Sequence, residues 1–218
     1  MHKTFDLMDM GEPSKIVRIE ITQGKDCITI SQSKYVEAIW KCEFGTDNAH
    51  AVKMPMDLNT KLEPNPNGVK GNWSNTYAQL VSSLMFLTTA THPDIAYVIS
   101  QLSAYMANPT TAHYGAAKRV LQYVMGTKNY GLTYRRSETH LKGEDLFYGY
   151  TNAAYANADY YHSMSGYVFI ASGGAITWSS KSKQQLHYHQ PKPNMLLFPR
   201  QHAKPHGSET CIASSVST

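Results

Sequence analysis

The sequence predicts an α+β protein in which a hairpin and a set of helices precede a short antiparallel meander. Three observations predict it. Near the start, two runs of alternating apolar residues flank a turn bearing Gly24 and Asp26. Apolar residues then recur at helical spacing as far as Gly126. After Gly131 the period shortens to that of strands.

The first element is the hairpin "KIVRIEITQGKDCITIS", whose period of two is that of a half-buried strand pair. Ser31 or Ser33 offers an N-cap for a helix that places Tyr35, Val36, Ile39, Trp40 and Phe44 at helical spacing. Gly45 supplies its stop. From Asn48 to Asn75 the text is rich in Pro, Asn, Gly and Lys and reads as a connector, with "EPNPNGVKGN" as its loosest piece.

"TYAQLVSSLMFLTTAT" puts Leu80, Leu84 and Leu87 on one helical stripe. Thr91 is expected to cap a following helix whose first turn holds Pro93 and Asp94, both favoured there. That helix turns Ile95, Val98, Ile99, Leu102 and Tyr105 inward. "NPTTAHYGAAKRVLQYVMGT" gives a further helix, ended by Gly126. These stripes read as a helical core in preference to a cofactor-binding surface. "GLTY", "LFYGYTN", "SGYVFIAS" and "AITWSSK" are the β-rich runs, with Gly173 and Gly174 as a hairpin turn between the last two.

Composition narrows the class of function. The chain has 218 residues, of which 42% are hydrophobic and 17% charged, with a formal charge of +4. The basic residues are scattered singly or in pairs, as on a solvated surface, so the charge permits a polyanionic partner without arguing for one. Cys27, Cys42 and Cys211 have no metal-binding spacing and, being odd in number, no disulfide framework. That usage fits a reducing compartment. No apolar run approaches the roughly 20 residues needed to span a bilayer, and no signal peptide opens the chain. An intracellular protein with no membrane partner and no small-molecule substrate is the default expectation.

The segments, in this order, resemble the Pol polyprotein of copia-type LTR retrotransposons. "FDLMDMGEP" and "IEIT…ITISQSKYVEAIWKCEFG" resemble the end of the reverse transcriptase, with its hairpin and thumb helix. The strongest block is "YAQLVSSLMFLTTATHPDIAYVISQLSAYMANPTTAHYGAAKRVLQYVMGTKNYGLTY". It is similar to a family pattern of Leu-Val-Gly-Ser-Leu-Met-Tyr-Leu, Thr-Arg-Pro-Asp-Ile and Ala-Ala-Lys-Arg-Val-Leu. "GYTNAAYANADYYHSMSGYVFIASGGAITWSSK" resembles the opening strands of RNase H. One departure is Arg18, where the family usually has Gly before "IEI".

The resemblance implies five regions. Residues 1–47 would end the reverse transcriptase, 48–75 form the connector and 76–140 the helical connection. Residues 141–186 would be truncated RNase H-like strands, and 187–218 a disordered tail. The family's activity is RNA-directed DNA polymerisation and RNase H cleavage, both using Mg²⁺ pairs held by carboxylates, within a larger Pol polyprotein. Its polymerase carboxylates belong to a turn that precedes the segment matching Met1 onward, so polymerisation is not expected. In RNase H the first metal-binding Asp stands where this chain has Asn152, and the adjacent Asp where it has Ala154. An amide is neutral and a much weaker ligand for a hard cation than a carboxylate. Asp159 falls in the expected turn and reads as solvated. The expected protein is therefore not an enzyme and holds no metal or cofactor. The alternative is weak binding of an RNA–DNA hybrid through Lys118, Arg119 and Lys181, for which a solvated helix or strand face is the plainer reading.

The tail "LHYHQPKPNMLLFPRQHAKPHG" has neither helical nor strand period, and its prolines interrupt both. Its codons, regrouped one nucleotide earlier, convert His187-Tyr188 to YTA, which is always Leu. Continued to Met195, the regrouping allows Leu-Ser-Ser-Thr-Glu-Ala-Glu-Tyr, and His206-Gly207 gives YGG, Trp or Arg. The family's RNase H helix carries that Ser-Ser-Thr-Glu-Ala-Glu-Tyr motif, followed by Ala-Ala, Glu-Ala and Trp. A frameshift near Lys183 to His187 is the expected cause. On that reading His187, His189, His202 and His206 are by-products of shifted codons rather than zinc ligands. Without the helix, sheet residues Val168, Ile170, Ile176 and Trp178 are expected to lose a partner, leaving the strands marginal or collapsed onto the preceding helices.

Overall fold

A computed structural model of the chain describes residues 11–45, 49–57, 60, 62–65, 71, 73–136, 147–154 and 162–184. They form a four-stranded sheet, four α-helices and a three-stranded sheet. The tail, the polar stretch around Asp159 and the "FDLMDM" segment lie outside the described residues, so the readings made there are neither supported nor opposed.

The first sheet has the order β1-β2-β3-β4, all antiparallel, with β1 Lys15–Ile16, β2 Ile19–Gln23, β3 Cys27–Ser31 and β4 Leu132–Arg135. The expected hairpin is β2–β3, in which Ile21 faces Ile30 and Gln23 faces Ile28. Strand β4 departs from expectation. "GLTY" reads as the start of the meander, but its strand pairs with β3 from the far side of the helices, Leu132 facing Ile30 and Tyr134 facing Ile28. Two contacts explain the choice. The Thr29 and Thr133 hydroxyls are 2.9 Å apart. At Gly131 an added Cβ would meet the Ile30 carbonyl at 2.5 Å, so only glycine brings the chain in this close.

The β1–β2 turn contains Val17 and Arg18, both with positive φ, at 43° and 63°. A two-residue hairpin of this twist needs φ > 0 at both positions and favours Asn-Gly. A β-branched Val is strained there, at a cost of roughly 1–2 kcal/mol. Arg18 recovers part of its own strain by standing 5.3 Å over the Tyr35 ring. Val17→Asn is expected to stabilise the protein by about 1 kcal/mol, read as a rise in the urea midpoint at unchanged slope. Arg18→Gly is expected to gain less, because it also removes the ring contact.

Helix α1 spans Ser33–Phe44, α2 Ser74–Ala90, α3 Ala96–Ser103 and α4 Thr111–Gly126, with a 3₁₀ turn at Pro93–Ile95 before α3. These supply every buried hydrophobic residue among those described, including Val36, Tyr77, Leu84, Ile95, Leu102 and Leu121. Neither sheet contributes to that core. Tyr77, wholly buried, donates its hydroxyl to the Leu102 carbonyl at 2.7 Å and so ties α2 to α3. Burial drives its pKa far above the usual tyrosine value, and it stays neutral.

The caps differ from expectation. Neither Ser31 nor Ser33 caps α1: the N-cap is Gln32, without a side-chain cap bond, and the Ser33 hydroxyl donates instead to the Lys128 carbonyl at 2.8 Å. Thr91 closes α2 rather than opening α3, and His92 precedes the 3₁₀ turn, where Pro93 does sit in the first turn. Gly45 ends α1 with φ 58°, as expected.

The second sheet runs β5 Phe147–Ala154, β6 His162–Ala171 and β7 Gly174–Gln184, an antiparallel meander in chain order. Its hairpin turn is Ser172-Gly173, both with positive φ, one residue before the pair expected from sequence. The sheet packs back on the helices. The Trp178 indole N–H donates to the Thr88 carbonyl at 2.7 Å, and the Gln101 amide reaches the Met164 sulfur at 3.1 Å. The Tyr134 hydroxyl donates to the Ala175 carbonyl at 2.7 Å, joining the two sheets.

Candidate functional site

Four places hold the polar chemistry of the described chain, and the residues singled out from sequence fall in three of them.

The first is β5. Asn152 is exposed and faces Gly166 of β6, which in turn faces Ser180 of β7. Ala154 follows two positions later in the same strand, opposite Met164. Positions 152 and 154 are two apart on one strand. Among the described residues no three His, Cys, Asp or Glu side chains converge as a metal would require.

The second is the outer side of α4. Lys118 Nζ lies 3.3 Å from a Glu43 carboxylate oxygen, 4.7 Å from the centre of the Tyr114 ring and 5.5 Å from that of Phe44. Tyr114 donates its hydroxyl to the same carboxylate at 2.5 Å. Burial, then Glu43, pushes the Tyr114 hydroxyl up to about 12. Arg119 bonds Asp57 at 2.7 Å. Both cations thus hold carboxylates of other segments, which binds α4 to α1 and to the connector. Such pairs lower the positive potential a phosphate would meet.

The third is an open groove of about 480 Å³ between β7 and the helices, lined by Met85, Thr88, Ile99, Ser103, Ile176 and Lys181 among others. Lys181 is among the residues that line it, and neither Lys118 nor Arg119 is. The three basic residues therefore do not share one site.

The fourth was not foreseen. Gln32, Thr91 and His92 are 0%, 4% and 2% exposed, a polar pocket inside the core. The Thr91 hydroxyl donates to Gln32 Oε1 at 2.8 Å, and its oxygen lies 2.8 Å from His92 Nδ1, which donates to it. His92 Nε2 and Gln32 Nε2 have no hydrogen-bond partner among the described residues. Burial lowers the His92 pKa against a weaker upward pull from Asp94. His113, 1% exposed, completes a capping box for α4: its Nδ1 accepts the Thr110 N–H at 2.8 Å, and Thr110 Oγ1 accepts the His113 N–H. Thr110-x-x-His113 matches the spacing of the capping-box signature with His in place of Glu or Gln, a signal readable in the sequence. No comparable pattern marks Gln32 and His92, which meet only in three dimensions.

Comparison with known proteins places the sequence. Over 189 residues the chain is 34% identical to the retrovirus-related Pol polyprotein from transposon TNT 1-94 of Nicotiana tabacum, covering 83% of this chain and 14% of that protein. It is 30% identical to the Pol polyprotein from transposon RE1 of Arabidopsis thaliana over 186 residues, 84% of this chain and 12% of that one. It is also 35% identical over 109 residues to secreted RxLR effector protein 161 of Plasmopara viticola, 50% of this chain and 73% of that protein. No family model and no solved structure matches. The chain belongs to the Pol polyproteins of copia-type retrotransposons. It spans only a small fraction of the Pol relatives it matches, 14% of the first and 12% of the second.

Proposed function

We propose that this chain is a catalytically inactive segment of a retrotransposon Pol polyprotein, covering the end of the reverse transcriptase and the first strands of RNase H. The observation that carries the reading is Asn152 with Ala154 on β5, the first strand of the meander. The resemblance assigns two metal-binding carboxylates to those positions. Two-metal cleavage of a phosphodiester needs anionic ligands to hold cations close to a polyanion, and an amide and a methyl group cannot supply that charge. A frameshift would extend this reading, since the regrouped codons of His187 to Gly207 are compatible with the Glu-bearing helix the site also needs.

The family's hybrid-binding role has less support as a residual function. Two of its three candidate cations, Lys118 and Arg119, are already paired with Glu43 and Asp57.

Incubated with an RNA–DNA hybrid and Mg²⁺ or Mn²⁺, the chain is expected to leave the RNA strand intact. Asn152→Asp alone is expected to restore nothing, whereas Asn152→Asp with Ala154→Asp in a frame-restored and extended chain should yield cleavage. Hydrolysis by the unaltered chain, lost on Asn152→Ala, would overturn the reading. Sequencing the encoding DNA across Lys183 to Gly207 tests the frameshift separately.

A further inference from the structure

The second sheet ends on one side at β5, and no described residue pairs with that edge. The opposite side differs: the Trp178 indole of β7 bonds the Thr88 carbonyl, the Tyr134 hydroxyl of β4 bonds the Ala175 carbonyl of β7, and the Arg135 N–H bonds the Ser172 carbonyl in the turn before β7. An open edge carries a row of unpaired N–H and C=O groups, which an extended backbone satisfies in register. Natural edges resist such pairing with lysines, prolines, bulges or short length. Strand β5, "FYGYTNAA", has none of these. It is eight residues long, contains no charge and no proline, and pairs with β6 without a break, the sheet's one irregularity lying between β6 and β7.

Its side chains add to the liability. Phe147, Tyr148 and Tyr150 are 57%, 42% and 61% exposed. On one face the Phe169 ring lies over Gly149, where an added Cβ would meet it at 2.4 Å, and stacks parallel to Phe147 with centroids 5.5 Å apart. An apolar surface therefore runs out to the edge and stops there.

We propose that β5 is a self-association edge, pairing antiparallel with β5 of a second copy of this chain to give a six-stranded sheet. A two-fold axis at Tyr150 sets the register. Tyr148 then faces Asn152, Phe147 faces Ala153, Gly149 faces Thr151, and Tyr150 faces its own copy. Each larger side chain meets a smaller one except at the axis, where two rings can stack. The strand carries no charge, so two copies meet without like-charge repulsion. A two-fold contact of this kind uses the same edge of both copies and therefore closes at two chains. The proposal stands apart from the loss of nuclease activity, since it uses neither a metal nor the identity of residue 152.

Sedimentation velocity over a wide range of concentration tests it. The unaltered chain is expected to move from monomer to dimer. Tyr150→Lys and Tyr150→Glu each put like charges face to face at the axis, and each is expected to remain monomeric with an unchanged far-UV spectrum. An equimolar mixture of the two is expected to recover the dimer, through an opposite-charge pair. A chain that stays monomeric, that forms species larger than a dimer, or that dimerises equally well as Tyr150→Lys would overturn it.

Discussion

Lowering the pH from about 7.5 to about 5.5 is expected to cost this protein stability well before its carboxylates titrate, because two histidines are folded in the neutral form. His92 and His113 are almost wholly buried, and burial lowers the pKa of each below the ordinary 6.5. Among the described residues the ionic counterweight to His92 is Asp94, which is already engaged by the Tyr123 hydroxyl at 2.7 Å. His113 carries a further penalty. Protonating its Nδ1 places an N–H against the Thr110 N–H that now donates to it, so the charged form loses that half of the capping box. The sign follows from proton binding. Between the lowered folded value and the unfolded value near 6.5, the unfolded chain binds more protons. Stability is therefore fully present above about pH 6.5 and is lost as the pH falls through that value toward the folded pKa. Each histidine contributes a limiting slope of about 1.4 kcal/mol per pH unit. Urea midpoints at several pH values measure it. His113→Gln keeps a capping-box side chain without the titration and is expected to remove about half of the slope. His92→Asn keeps a donor where Nδ1 stands and is expected to remove the other part. A midpoint independent of pH between 7.5 and 5.5 would contradict the assignment of neutral buried histidines.

What the sequence made legible was what short-range physics controls. Helical stripes found Leu80, Leu84, Leu87, Val98, Ile99 and Leu102, and all are buried. The strand period found β2, β3 and the meander, because a side chain on a strand is sorted to one face by its immediate neighbours. The errors fell where a long-range partner decided the outcome. "GLTY" carries the same local signal whether it opens a meander or closes an earlier sheet, and only contacts about a hundred positions apart, Thr29 with Thr133 and Gly131 against Ile30, distinguish them. Ser33 and Thr91 have the chemistry of helix caps, yet each is engaged elsewhere, by Lys128 and by Gln32 with His92. Of the site, the sequence displayed Asn152 and Ala154 directly. It could not show that Lys118 and Arg119 are committed to Glu43 and Asp57, since those acids come from segments 75 and 62 positions away.

Replacing Trp178 by alanine is expected to have the largest local effect of any single change in the second sheet. The sheet supplies nothing to the main core, so its stability rests on its contact with α2 and α3. Trp178 is the principal anchor: its indole N–H bonds the Thr88 carbonyl, and its neighbours in register are Val168 and, beyond it, Tyr150. Truncating a packed tryptophan typically costs about 3–5 kcal/mol, here with an added unsatisfied carbonyl. That is a large share of the roughly 5–15 kcal/mol of a whole domain, applied to three strands alone. The loss should therefore be local. Amide hydrogen exchange is expected to show β5, β6 and β7 losing protection while α2 and α4 keep theirs. Trp178→Phe separates the two contributions, retaining a ring and removing only the hydrogen bond, and is expected to cost about 1–2 kcal/mol. Leu84→Ala, by contrast, cuts into the wholly buried core and is expected to lower protection throughout the helices. Uniform loss of protection in Trp178→Ala would mean that strands and helices unfold as one unit, and that the meander is a working part of the core rather than a sheet laid upon it.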